Sequence, residues 1–91
     1  MKTLFSLHAK RDIERIPRHE QEKILLAIEK FSKNTKEDLH HFRPAKGDIA
    51  KIDNLLFEIR AGNYRVISRV ENGEMTIISI FQRNSVFDES R

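Results

Sequence analysis

Residues 57–66 read FEIRAGNYRV, and their chemistry lies in Arg60 and Arg65. The two arginines flank a short bend containing a glycine, and apolar residues alternate on either side of it. If the two arms pair as a hairpin, the arginines stand at the two ends of one turn, where cross-strand neighbours lie about 5 Å apart. Guanidinium groups placed that way converge on an anion, and a phosphate matches the fixed fork of donors that arginine presents. Arg83 comes two residues after Phe81, at the end of the last apolar run. In a meander the end of the third strand lies beside the start of the second, which would return Arg83 to the edge that carries Arg65. The competing reading pairs each arginine with a carboxylate, such as Glu58, Asp88 or Glu89, as an ordinary surface ion pair.

The elements that must position these residues follow from the hydrophobic period. Residues 3–7, TLFSL, read as a short strand. From His8 onward, Ala9, Ile13 and Ile16 recur at the spacing of a one-faced helix, which Pro17 stops or kinks. Helical spacing resumes with Ile24, Ile28 and Phe31, flanked by Leu25 and Ala27, while Glu22, Lys23, Glu29, Lys30 and Lys33 take the opposite side. Two antiparallel amphipathic helices joined at the proline are therefore expected. The polar stretch 34–48, with Pro44 and Gly47, reads as a loop pinned by Leu39 and Phe42.

Beyond it the period changes to two. Leu55, Phe57 and Ile59 alternate with Leu56, Glu58 and Arg60; Tyr64, Val66, Ser68 and Val70 alternate with Arg65, Ile67 and Arg69; Thr76, Ile78 and Ile80 alternate with Met75, Ile77, Ser79 and Phe81. Ala61-Gly62-Asn63 and Asn72-Gly73 supply the turns, the second being the strongest short hairpin signal. The expected fold class is α+β: one domain over residues 1–91, with a short N-terminal strand and two antiparallel helices packed on one face of an antiparallel β-meander. The other face mixes Arg60, Arg65, Arg69 and Glu58 with Leu56 and Ile67, a composition suited to being covered by a partner.

Composition excludes several classes. Ninety-one residues hold one modest core. With no cysteine there is neither a disulfide nor a thiolate metal site. Adjacent His40 and His41 cannot share one site on a regular strand, and His8 and His19 fall on the helices without ligand-spaced partners, so no metal or other cofactor is expected. The residues MKTLFSLHAKRD lack an apolar run of signal-peptide length, and no stretch nears the roughly 20 apolar residues that cross a bilayer. A soluble cytoplasmic protein without membrane contact is the expectation. Net charge is only +3, with ten basic and seven acidic residues over 1–45 and seven of each over 46–91, so a basic patch in the second half depends on folding.

The segment KGDIAKIDNLLFEIRAGNYRVISRVENGEMTIISIFQRN resembles the C-terminal sheet of the RelE/ParE toxin superfamily of bacterial toxin–antitoxin modules. The resemblance rests on Lys46-Gly47, a Glu-Ile-Arg strand end, Gly-x-Tyr-Arg-Val, an acidic-Asn-Gly turn, a last strand closing in a basic residue, and two helices around Pro17. Its RelE-like branch implies a ribosome-dependent mRNA endoribonuclease silenced by a cognate antitoxin protein, with ribosome and mRNA as further partners. Cleavage there is by attack of the ribose 2′-hydroxyl on the adjacent phosphate, without a metal. The resemblance then gives Arg65 and Arg83 to the scissile phosphate and the leaving group, and sets Arg60 where the family carries a lysine or arginine. Lys46, Lys51, Tyr64 and Phe87 are the candidate substrate contacts.

Two departures bear on mechanism. Glu58 stands where the RelE branch carries a lysine, and Phe87 is nearest to a substrate-contacting tyrosine. Arginine is a poor base because its pKa exceeds about 12. Glu58 is therefore either the general base or the ion-pair partner that orients Arg60 or Arg65, and Phe87 either stacks on a base or closes the core. The chain runs eight residues past Arg83, too few for the C-terminal helix of several relatives. The superfamily also contains ParE-like toxins that poison DNA gyrase without nuclease activity, and a catalytically inactive relative that keeps only antitoxin binding is a third reading.

Overall fold

A computed structural model describes residues 1–33 and 55–82. Its elements are β1 (Lys2–Phe5), α1 (Leu7–Glu14), α2 (Arg18–Ser32), β2 (Leu56–Ala61), β3 (Tyr64–Glu71) and β4 (Glu74–Gln82). The loop expected over 34–48, with its anchors Leu39 and Phe42 and with His40 and His41, lies outside the described residues.

The three C-terminal strands form the expected meander, and β1 joins it parallel to β4, giving a mixed sheet in the order β1-β4-β3-β2. Both turns use glycine where positive φ is required. Asn72 and Gly73 have φ of 55° and 78°, as a type I′ turn demands, whereas at Gly62-Asn63 only Gly62 is positive, at 60°. Helix α1 packs on β4 and α2 on β2. They bury Ala9, Ile24, Ile28 and Phe31 against Ile59, Val66, Met75, Ile77 and Ile80.

The N-terminal boundary differs slightly from the sequence expectation. The strand ends at Phe5 because Ser6 caps α1, its Oγ accepting from the Ala9 amide at 3.0 Å. Pro17 separates the helices as expected and is itself the N-cap of α2. Gln21 Nε2 donates to the carbonyls of Ile13 (2.7 Å) and Ile16 (3.0 Å), tying the end of α1 to the first turn of α2.

Strict alternation in the last strand is corrected. Ile67 pairs with Ser79 but Ser68 pairs with Ile77, so Ile78 faces no residue of β3. This β-bulge switches the parity of the strand. Met75, Ile77 and Ile80 enter the helix-side core, while Ile78 and Phe81 join Leu56 and Ile67 on the far face. The extra residue is held by polar groups of the first helix. Ser6 Oγ donates to the Ile78 carbonyl at 3.0 Å, and Asp12 Oδ2 accepts from the Ile80 amide at 2.9 Å and from Ser79 Oγ at 3.4 Å. A bulge leaves ladder groups unpaired, and here side chains of α1 and its cap take them.

Replacing Asp12 by alanine orphans the amide of Ile80, which is 3% exposed, and should lower the unfolding free energy by about 1–3 kcal/mol. Asp12→Asn keeps an acceptor oxygen and should lose less. Urea unfolding followed by circular dichroism checks this; equal losses would show that charge rather than acceptance holds the bulge.

Candidate active site

The β2–β3 hairpin fixes the geometry of the site. Its register sets Arg60 directly opposite Arg65 and Glu58 opposite Ile67. Because side chains alternate along a strand, Glu58, Arg60 and Arg65 emerge together on the face away from the helices. Like charges directly opposite one another destabilise a sheet. Here one carboxylate offsets both: Glu58 Oε2 lies 3.2 Å from Arg65 Nε and 3.5 Å from Arg60 Nε. The Glu58 side chain is 8% exposed, Arg65 24% and Arg60 48%. Oε2 and the Arg65 Nε are both buried, and their approach lies outside hydrogen-bond alignment, so charge holds the pair.

The sequence left Glu58 as a base or an orienting ion-pair partner, and the orienting contacts are present. Two cations against one anion leave the cluster net positive. Arg69 does not join it, being ion-paired with Glu71. Beneath the charges, Leu56 and Ile67 are buried, with Ile78 and Phe81 packed on them, so this face has a small apolar cluster of its own.

Tyr64 is placed elsewhere. It is 7% exposed, within the helix-side core, on the opposite face of β3 from Arg65. Its expected part in substrate contact gives way to packing, because adjacent residues on a strand cannot share a face. Gln82 is the register partner of Tyr64 and Phe81 that of Arg65, so the last described residues of β4 do return to the Arg65 end of the sheet. Arg83, Lys46, Lys51 and Phe87 lie outside the described residues.

One feature of the site was not anticipated. A groove of about 670 Å³ runs between α2 and the edge strand β2. Lys23, Lys30, Arg60 and Glu58 line it together with Leu26, Ala27, Phe31 and Ile59. The sequence reading put both lysines on the side of α2 away from the core. Their signal was Lys23, Ala27 and Lys30 at i, i+4 and i+7, a single stripe bordering the buried one. Among the described residues no group of His, Cys, Asp and Glu is arranged to hold a metal, and His8 and His19 lie beside Asp12 (3.3 Å) and Glu20 (3.7 Å).

Comparison with known proteins fits this architecture. Residues 4–87 match the family model described as the ParE toxin of type II toxin–antitoxin system, parDE. A chain of the RelB–RelE antitoxin–toxin complex from Methanococcus jannaschii is similar at 24% identity and a TM-score of 0.68, over 97% of this chain and 99% of that one. The RelE–RelB complex from Pyrococcus horikoshii gives 15% identity and 0.63, over 93% and 97%. The YoeB/ParE toxin from Agrobacterium tumefaciens gives 24% and 0.65, over 90% and 98%. No curated protein matches at the same stringency. Fold and family match define a small toxin-type α+β domain, and the chain belongs to the ParE toxin family of type II toxin–antitoxin systems, within the RelE/ParE superfamily. No helix among the described residues is long and apolar enough to cross a membrane.

The shared carboxylate should show in double-mutant cycles by denaturant unfolding. The coupling of Glu58 to Arg65, the more buried pair, should reach about 1–2 kcal/mol. Coupling to half-exposed Arg60 should stay below about 1 kcal/mol and shrink with added salt. Equal couplings would contradict the burial difference.

Proposed function

We propose that this toxin is a ribosome-dependent mRNA endoribonuclease. The observation that carries the reading is the direct opposition of Arg60 and Arg65 around one buried carboxylate. The reaction forms a bond from the ribose O2′ to phosphorus and breaks the bond from phosphorus to O5′, leaving a 2′,3′-cyclic phosphate and a 5′-hydroxyl. Negative charge grows on the non-bridging oxygens, and the two guanidiniums sit where they can bind it. Arg65, the more buried, holds the scissile phosphate, and Arg60 approaches it from the open side.

Glu58 has two parts in this scheme. One oxygen orders both arginines, and the other accepts the 2′-hydroxyl proton. The leaving O5′ takes its proton from solvent, assisted by Arg83. The resemblance implies no metal in this reaction, and the bonds made and broken need none. A cognate antitoxin is the partner this reading requires, and the family match together with the likeness to antitoxin–toxin complexes supports it.

Primer extension on a translated message after induction should show discrete cuts for the native chain and none for Arg65→Ala, which should also abolish growth arrest with the fold intact. Arg65→Lys keeps the charge but loses the fork and should retain only a small part of the activity. Glu58→Gln should slow single-turnover cleavage by about 10²–10⁴-fold. Trapped DNA breaks with gyrase and an uncut message would instead identify a ParE-like poison. Normal growth on induction of the native chain would identify an inactive relative.

A further inference from the structure

A second cationic surface lies outside the hairpin. Arg11 and Arg15 stand one turn apart at the C-terminal end of α1, Arg18 opens α2 just past Pro17, and Lys10 lies beside Arg11. All four are exposed, and among the described residues none makes an ion pair. Arginines one helical turn apart repel. The carboxylate in reach of Arg15 three positions back is Asp12, which is turned inward onto the β4 bulge. The corner between α1 and α2 thus sets Lys10, Arg11, Arg15 and Arg18 against the exposed Glu14 and Glu22, with neither of which any of the four is ion-paired, and it stays net positive.

Topology places this corner with the candidate active site. Ser6 touches Ile77 and Ile78, and six residues later Asp12 touches Ser79 and Ile80. Helix α1 therefore advances along β4 in the direction of Gln82, and its C-terminal turn falls at the end of the sheet where β4 meets Tyr64 and Arg65. From there α2 returns along β2, where Lys23 and Arg60 line one groove. Cations from three separate parts of the chain accordingly gather at one end of the sheet: Arg60 and Arg65 on one face, Lys23 at the groove, and the helical corner on the other face.

We propose that the α1–α2 corner, through Arg11, Arg15 and Arg18, is a second RNA-binding surface that grips phosphates outside the cleavage site. The choice of RNA rests on the nuclease reading above. Two features of the corner favour a phosphate backbone over an acidic protein segment. Its charges are mostly arginine, which matches phosphate bidentately. At the corner itself Ile16 is buried, and the exposed Leu7 of α1 stands at the opposite end of that helix, whereas a bound peptide needs apolar anchors beside its charges. Contacts of this kind are independent of sequence and fix how a nucleic acid lies on the protein.

The test measures binding of a fluorescein-labelled RNA hairpin by anisotropy over a range of salt, with Arg65→Ala in every protein so that no RNA is cut. Replacing Arg11, Arg15 and Arg18 together by alanine should lower the slope of log affinity against log salt by about two to three and weaken binding at least about tenfold at low salt. The corresponding triple lysine variant should keep most of the slope, and identical melting curves exclude unfolding as the cause. An unchanged slope overturns the proposal, as does a triple alanine variant that binds RNA normally but no longer forms the antitoxin complex. The nuclease reading is tested separately, because a native chain that cuts no message while the slope still falls sinks that reading and leaves the corner standing.

Discussion

Two arginines facing each other across a hairpin are the constraint around which the site is organised. The β2–β3 register leaves them no choice, because Ala61 and Tyr64 close the ladder one pair further on. Such opposition is unfavourable by itself. Glu58, two residues before Arg60 on the same face, is where one carboxylate reaches both side chains. The arrangement holds the arginines in a common orientation while keeping an excess of positive charge. Under the proposed function, a phosphate would meet two guanidiniums already ordered by one carboxylate, which lowers the ordering entropy lost on binding.

The hairpin depends in turn on how the sheet is finished. An unbroken β4 would place Ile77 and Phe81 on one face and Ile78 with Ile80 on the other. The bulge at Ile78 avoids this and gives both faces apolar side chains, a large set under the helices and a small one beneath the charged cluster. Ser6 and Asp12 make the bulge possible, Ser6 by donating and Asp12 by accepting where β3 does not. Asp12 therefore links the two cationic regions. By turning inward to stabilise the strand next to Arg65's strand, it is withdrawn from Arg15, three positions on.

Much of this was legible in the sequence, and the exceptions have physical causes. Period changes, Pro17 and the Asn72-Gly73 turn define the helices and the meander, because each is a local preference that packing reinforces. The convergence of Arg60 and Arg65 was legible too, since a tight turn fixes cross-strand register within a few residues. The bulge was not, because it depends on Ser6 and Asp12, more than sixty residues away. The parallel partner of β1 escaped for the same reason, as pairing with β4 leaves no local mark on a four-residue strand. Tyr64 was drawn towards the substrate by its neighbour Arg65 in the Gly-x-Tyr-Arg-Val motif, although strand alternation turns it into the core. Lys23 and Lys30 looked solvent-facing because periodicity gives the buried stripe of α2, not which flank meets the sheet edge.

The most direct measurement is an NMR titration of the arginine Nε–H resonances with an oligonucleotide whose 2′-hydroxyl is removed at the cleavage step, so that it binds without reacting. A single phosphate held by both guanidiniums predicts that the Arg60 and Arg65 signals shift together along one saturation curve. Movement of Arg60 alone, with Arg65 still held against Glu58, would show that the pair is a structural ion cluster and not a phosphate site.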